Sequence, residues 1–417
     1  MTKKTAPLRA FSRYGIELEY MIVDSESLAV KPIADALLRK ITASASTEVD
    51  TGRIAWSNEL VLHVVEVKNP SPQARLEGLA AGFQDEIQRI DGLLAEFGAR
   101  LMPGAMHPWM NPATETQLWP HEHEAIYRTY DRVFDCRAHG WANIQSMHVN
   151  LPFADDEEFA RLHAAVRLLL PILPALAASS PVADGRARDD LDFRLACYRL
   201  HPARVPSLIG RFIPDNAFSR ADYEASVLAP MYREIAPLDP DGVLRHEWLN
   251  ARGAIPRFDR NALEIRVIDV QECPQADLAI AALASAVVRS LYSGRWSTLA
   301  AQQQIDTDAL GEILRACSRD ADCALIDNAA YLALLGFPQG RCQARELWQH
   351  LLAACAADRL LTGSHHVPLD HILSRGPLSR RIMRALGDGF DRPRLAAVYR
   401  ELCDCLAGGH LFMGPDA

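Results

Sequence analysis

The chain alternates between two hydrophobic periods. Residues 11–24 enter through Ser12-Arg13-Tyr14, then place Ile16, Leu18 and Tyr20 on one side and Glu17 and Glu19 on the other, which predicts a strand. Residues 54–68 predict one or two more strands, stopped by Asn69-Pro70-Ser71-Pro72. From 73 to 98, Leu76, Leu79, Phe83, Ile87, Ile90, Leu94 and Phe97 recur at helical spacing. Further strands are predicted at 102–106, at 143–153 and, most clearly, at 262–270. Helices are predicted at 32–46, at 191–199 and at 155–178, where Asp155-Asp156-Glu157-Glu158 suit the positive end of a helix. Another is predicted at 274–292, an alanine-rich run led by Pro274-Gln275-Ala276-Asp277. Residues 107–140, rich in His, Trp and Pro, read as a long active-site loop containing a helix, and 179–190 as a polar loop. The tail from 302 to 417 reads as mostly helical, broken at 362–369. Strands separated by long irregular or helical insertions predict the α+β class with an antiparallel sheet. The expected division is a sheet-bearing part over 1–300 and a helical extension over 301–417 packed on it.

Composition narrows the function. Of 417 residues, 49% are hydrophobic and 23% charged, as in an ordinary globular protein. The net charge of −9, from 44 basic and 53 acidic residues, argues against a general nucleic-acid binder. It leaves an ATP site open, because local groups decide that. The start, Met1-Thr2-Lys3-Lys4-Thr5-Ala6-Pro7-Leu8-Arg9, has positive charge with no apolar run behind it, unlike a secretory signal. The greasy stretch at 166–178 is short and holds Pro171 and Pro174, so no membrane span is expected. Nine cysteines occur without a CxxC pair, and Cys403-Asp404-Cys405 lacks zinc-site spacing, so free thiols in a cytoplasmic protein are expected.

The informative feature is acid inside apolar, β-branched runs. Glu17 and Glu19 share a strand face, as do Glu264 and Arg266. Glu66 lies within Val64-Val65-Glu66-Val67, where an unpaired charge is costly. Glu59 and Glu66 are seven apart and reach one site only if the chain bulges or turns between them. His148 sits in Met147-His148-Val149-Asn150. Two carboxylates about 5 Å apart at an effective dielectric of about 20 repel by roughly 3 kcal/mol. Bound cations turn that repulsion into attraction, and magnesium prefers such hard oxygen ligands. The Arg266 guanidinium offers a planar fork to phosphate or carboxylate oxygens, and Arg252 stands beside Gly253, where backbone could approach a ligand. Each residue also has an ordinary reading: surface acids, a strand-edge glutamate, a core histidine, a same-face salt bridge. His365, His366 and His371 read as part of a flexible loop, and Arg375, Arg380, Arg381 and Arg384 as a solvated helix face. Cys136, Cys197 and Cys273 lie near these segments, with nothing marking one as a nucleophile.

Taken in order, these segments resemble the glutamate–cysteine ligase family 2 proteins, bacterial carboxylate–amine ligases of the glutamine synthetase-like superfamily. Gly15-Ile16-Glu17-Leu18-Glu19 looks like the family's opening acidic strand, and Glu59 to Glu66 like its second. Met147-His148-Val149-Asn150 resembles its histidine segment. Ser180-Pro181, Gly185-Arg186 and Ala196-Cys197-Tyr198-Arg199 look like its central segment. Leu263-Glu264-Ile265-Arg266-Val267-Ile268-Asp269 resembles its late acidic strand, and Ser374-Arg375-Gly376-Pro377 to Arg381 its C-terminal arginine segment. The likeness runs from about 12 to 292 and weakens in the tail. The chain departs from the pattern at Asn150, where a second histidine is usual, at Asn250-Ala251-Arg252-Gly253, and at Gly185-Arg186-Ala187-Arg188-Asp189. Residues 254–261 look like a lengthened loop.

The resemblance implies a curved antiparallel sheet forming a catalytic funnel, ATP, and two or three Mg²⁺ ions, with Mn²⁺ as a substitute. It implies Glu17, Glu19, Glu59, Glu66, His148 and Glu264 as metal ligands, and Arg266 and Arg252 as stabilisers of the transferred phosphoryl group. Arg199, Asn150 and Arg186 become substrate-binding candidates. The implied reaction is amide formation through an acyl phosphate on glutamate or a glutamate-like acid, with small amino acids or amines as partners and a homo-oligomer as one arrangement. A guanidino-kinase-type phosphotransferase and a non-catalytic Mg-ATP-binding protein are the alternatives. A metallohydrolase fits less well, since first-row metal sites there usually hold more histidine.

Overall fold

The computed structural model describes residues 7–42 and 47–414. Its centre is an eight-stranded sheet in which every recorded pairing is antiparallel. The first six strands are β1 (Gly15–Asp24), β2 (Glu48–Asp50), β3 (Ala55–Asn58), β4 (Val64–Lys68), β5 (Ala99–Met102) and β6 (Ser146–Pro152). A two-residue pair, β7 (Val182–Ala183) and β8 (Arg186–Ala187), forms a separate hairpin, and β9 (Ala254–Arg257) and β10 (Ala262–Asp269) complete the large sheet. Its order is β2-β3-β4-β1-β6-β10-β9, with β5 paired to β1. Strand β1 is therefore central. Its apolar face, Ile16, Leu18, Tyr20 and Ile22, is fully buried against helices, which leaves the glutamates on the opposite face.

The helix Pro274–Tyr292 lies at the heart of the helical layer and packs on Leu79–Ala95, Asp156–Leu169, Ala344–Ala357 and Gly363–Arg375. The helices beyond residue 300 share the hydrophobic cluster that holds β1; Trp348, Leu351 and Leu369 belong to it with Ile16 and Leu18. The segment Asp156–Ala177 is long and apolar enough to cross a membrane by composition, yet 89% of its apolar window is buried in the fold, so it is a core helix. Pro171 and Pro174 do not end it. They open a short 3-10 turn and the next helical turn, where a missing N–H goes unmissed.

Several expectations change. The short strand expected at 102–106 lies earlier, at Ala99–Met102. The helix expected over 32–46 spans Ala34–Arg39, and 43–46 lie outside the described residues, as do 1–6 of the N-terminal reading and 415–417 of the tail. The lengthened loop at 254–261 is a hairpin: β9 pairs with β10 through a turn at which Asn261 takes φ 50. The break at 362–369 is instead the start of the helix Gly363–Arg375. His365 is buried there and forms a capping box with Thr362, its Nδ1 lying 3.2 Å from the Thr362 Oγ1. All nine cysteines are free.

Two buried ion pairs tie the layers together. Asp269, at the end of β10, accepts hydrogen bonds from the Ser179 N–H (2.8 Å), the Ser180 hydroxyl (2.9 Å) and the Arg194 guanidinium. Arg381 was expected on a solvated face. It is instead sealed in the core, its Nη1 2.5 Å from Glu272 Oε1 and 2.8 Å from the Phe412 carbonyl, while Arg380 pairs with Asp322. The helix carrying Arg381 needs a buried cation because Glu272 is fully buried on the facing segment. Replacing Arg381 with Met leaves that carboxylate uncompensated and is expected to cost about 3–5 kcal/mol. The double variant with Glu272→Met should regain most of the loss; urea denaturation midpoints of the three proteins check this.

Candidate active site

The polar face of the sheet forms the floor of a cavity of about 370 Å³. Register explains how residues far apart in sequence meet there. Glu17 lies opposite His148, Glu19 opposite Glu66, and Glu264 opposite Asn150, so β1, β4, β6 and β10 each present side chains to one patch. The odd spacing of Glu59 and Glu66 is absorbed by the connection at 59–63 between β3 and β4, which is pinned by a bridge from Val61 to Leu118. A register shift between Ile265 and Ile268 marks a bulge at Arg266, whose N–H donates to the Gly253 carbonyl. Glu19, Glu66, His148 and Glu264 are buried, and Glu17 and Glu59 half-buried.

His148 stands among the acids. Its Nδ1 is 2.9 Å from Glu17 Oε2 and 3.9 Å from Glu264 Oε1; its Nε2 is 3.0 Å from the Ser146 hydroxyl and 3.8 Å from Glu19 Oε1. The Ser146 N–H donates to Glu19 (2.7 Å), the Asn150 amide to Glu17 (3.0 Å) and the Ser57 hydroxyl to Glu66 (2.7 Å). Lys68 bridges Glu66 (2.9 Å) and Glu48 (3.1 Å). Glu264 is clasped by Arg266 (2.8 Å) and Arg257 (3.4 Å).

Proton affinities follow from this crowding. Burial, then the charges of Glu19 and Glu66, push the Glu59 carboxyl well up; burial and Glu17 push Glu66 up. Burial alone would raise Glu17, but the His148 hydrogen bond and the charges of His148, Lys68 and Arg266 bring it down to about 2. Burial disfavours a charged His148, yet Glu17, Glu19 and Glu264 outweigh it and raise the imidazole to about 9. In the protein alone the crowded carboxylates are thus offset partly by His148, Lys68, Arg257 and Arg266 and partly by the raised proton affinities of Glu59 and Glu66. The donor atoms fit divalent cations in two sets, each with its atoms within 4.8 Å of one another: Glu17, Glu66 and His148, and Glu19, Glu59 and Glu66. Glu66 is common to both. Glu264 belongs to neither, because its two arginines hold it at the side.

Not every residue singled out in the sequence reaches this cavity. Arg252 turns away: it is buried, pairs with Asp215 (2.5 Å) and donates to the Ser207 and Leu208 carbonyls. Gly210, at φ +52, leaves room for it, since a Cβ there would fall 2.5 Å from Arg252 Nη2. Gly253 likewise faces Val267, Leu170 and Phe212 in the core rather than a ligand. Arg199 lines a separate groove with Ile209 and Phe212. Arg186 is exposed on the β7–β8 hairpin. Asn150 touches Glu17 without lining the cavity.

Other lining residues were not singled out. Lys68 shares the face of Glu66, two residues on, and strand alternation alone would have found it. Arg257 required knowledge of the β9–β10 hairpin. An aromatic wall of Tyr127, Tyr130, Trp141, Tyr198 and Trp248 closes one side, with Tyr130 packed on both Trp141 and Trp248 at centroid distances of 5.2 and 5.8 Å. The Asn58 amide donates to the Tyr127 hydroxyl at 3.0 Å.

Comparison with known proteins places this architecture. A protein of Archaeoglobus fulgidus with no assigned activity is 36% identical over 276 residues, covering 66% of this chain and 74% of its own length. A Rubrobacter xylanophilus protein named "Putative glutamate–cysteine ligase 2-3" is 29% identical over 64% of this chain and 67% of its own. The crystal structure of the Francisella tularensis glutamate–cysteine ligase in complex with AMP shares the fold, with a TM-score of 0.62 at 12% identity, over 98% of this chain and 91% of that one. The family model described as glutamate-cysteine ligase family 2 matches residues 13–356. The chain belongs to glutamate–cysteine ligase family 2, a family of ATP-dependent ligases that form C–N bonds.

Proposed function

We propose that this protein joins the γ-carboxylate of glutamate, or of a glutamate-like acid, to an amine through an acyl phosphate. The observation that carries this reading is the pair of overlapping acidic sets in one cavity with Lys68, Arg257 and Arg266 beside them. Glu17, Glu66 and His148 would hold one Mg²⁺, and Glu19, Glu59 and Glu66 a second. Bound there, magnesium supplies charge neutralisation for the phosphates of ATP.

The chain's own groups do the rest by position. Arg266 and Arg257 offer guanidinium forks to the transferred phosphoryl oxygens, and Glu264 holds both forks in place. Arg260, also on the cavity lining and only loosely paired with Asp259 (3.8 Å), would meet the carboxylate of the acid. The aromatic wall offers π faces to a flat base and keeps water from the acyl phosphate. An oxygen of the acid attacks the γ-phosphorus, the bond to ADP breaks, and ADP leaves. The amine nitrogen then attacks the acyl carbon, phosphate leaves with the bonding electrons, and the amine loses its proton. An amine that arrives neutral needs no protein base.

ADP release in the presence of amino acids should require both an acid and an amine, with an amide in the product mass spectrum; ADP formed with a phosphorylated amine as the product would favour the kinase reading. Glu264→Gln should lower kcat about 100-fold or more while the thermal midpoint stays near that of wild type; near-normal ATP consumption would refute its role. The protonation pattern gives a third test. Glu59 and Glu66 have raised affinities in the metal-free protein and His148 carries a proton up to about 9, so Mg²⁺ must displace protons. Affinity for Mg²⁺ should rise as pH rises from about 6 to about 8.5, and calorimetry in buffers of different ionisation enthalpy should record net proton release.

A further inference from the structure

A second cavity, of about 410 Å³, lies apart from the acidic patch, where the chain enters β1 and leaves the loop after β4. Its floor is one face of the helix Pro274–Tyr292, made of the small residues Ala282, Ser285 and Ala286. Phe11, Tyr14 and Leu360 form its apolar walls. Its rim carries Arg75, Arg289 and Arg359, none of which makes an ion pair with a carboxylate among the described residues; Arg289 lies instead over the Phe11 ring, 5.9 Å from its centroid. The only carboxylate on the lining is Glu77, so the rim holds two positive charges in excess. His365, at the same wall, adds no charge at neutral pH: burial lowers its proton affinity. Ser285 lines this cavity, and its hydroxyl is buried without a hydrogen-bond partner among the described residues. An orphaned buried hydroxyl beneath unpaired guanidinium groups is costly unless something accepts its proton.

We propose that this cavity is a second binding site, distinct from the acidic patch, for a small phosphate ester that carries a dianionic head and an apolar or flat body. The doubly charged head matches the excess charge of the rim, and phosphate oxygens suit guanidinium forks better than a single carboxylate does. The Ser285 hydroxyl, turned into the cavity, donates to an oxygen of the ligand. Phe11 and Tyr14 receive the body, which inorganic phosphate lacks. The volume falls in the range of small-molecule sites, about 300–1,000 Å³.

The test uses phenyl phosphate as probe and isothermal titration calorimetry of the full chain without magnesium, with inorganic phosphate and benzoate as the head-only and carboxylate arms. Wild type and Arg266→Gln should bind one phenyl phosphate saturably. Arg289→Gln, an exposed position, and Ser285→Val should each weaken binding about tenfold or more, with unchanged thermal midpoints and unchanged ligase activity. Inorganic phosphate and benzoate should bind at least about tenfold more weakly than phenyl phosphate. The proposal is overturned by the absence of saturable binding, by binding that survives Arg289→Gln but is lost in Arg266→Gln, or by inorganic phosphate or benzoate binding as well as the ester. Each of these outcomes leaves the ligase reading standing, since each concerns binding of the ester and not turnover.

Discussion

Like-charged carboxylates held close together on one face of a sheet are the constraint around which this molecule is built. Water would normally disperse them. Here antiparallel register fixes Glu19 opposite Glu66 and Glu17 opposite His148, and burial strips the solvent that would screen them. The backbone cannot relax the crowding without giving up ladder hydrogen bonds and the apolar face beneath, Ile16, Leu18 and Tyr20. The repulsion therefore persists in the metal-free protein and, with burial, raises the proton affinities of Glu59 and Glu66. Lys68, Arg257 and Arg266 offset part of it from the sides, and His148 offsets part of it from the middle of the patch.

Much of the remaining polar interior serves to hold that face still. Asp269 locks the end of β10 to the Ser179–Ser180 turn and to Arg194, and Arg194 in turn donates to the Arg266 carbonyl. The bulge that aims Arg266 is thus braced from behind. Arg252 does similar work at the next segment, joining Asp215 to the chain at Ser207 and Leu208. Arg252 shows that a conspicuous arginine near an active site is not necessarily in it, and it and Arg194 show how a guanidinium can serve as a multi-point brace because it offers five donors in a fixed plane.

The sheet and its acidic patch were legible in the sequence because both rest on a strict local rule. Alternation put Glu17 with Glu19 and Glu264 with Arg266, and a charge inside a β-branched run announced itself at Glu66. The turn needed between Glu59 and Glu66 followed from an odd spacing. What stayed hidden depends on three-dimensional partners. Arg381 looks solvated on its own helix, and only the facing Glu272 makes it a core residue. His365 looks like part of a loop until Thr362 caps the helix through it. Arg257 enters the site only because β9 folds back on β10. Arg199 and Arg186 were carried in by the resemblance and Arg252 by the glycine beside it as well, and their side chains lead elsewhere because short segments leave the direction of a long side chain open.

Glu66 has one further consequence. A single carboxylate standing in both donor sets would make two ions held there thermodynamically communicating vessels. An ion at either position would compete with protons for Glu66, whose proton affinity is raised, and would fix its orientation, which would change the field met by the next arrival, and the influence would be mutual by necessity. Filling would then be governed by the pair as a whole, and the intermediate with a single occupant would be penalised or favoured according to how one side chain divides its two oxygens.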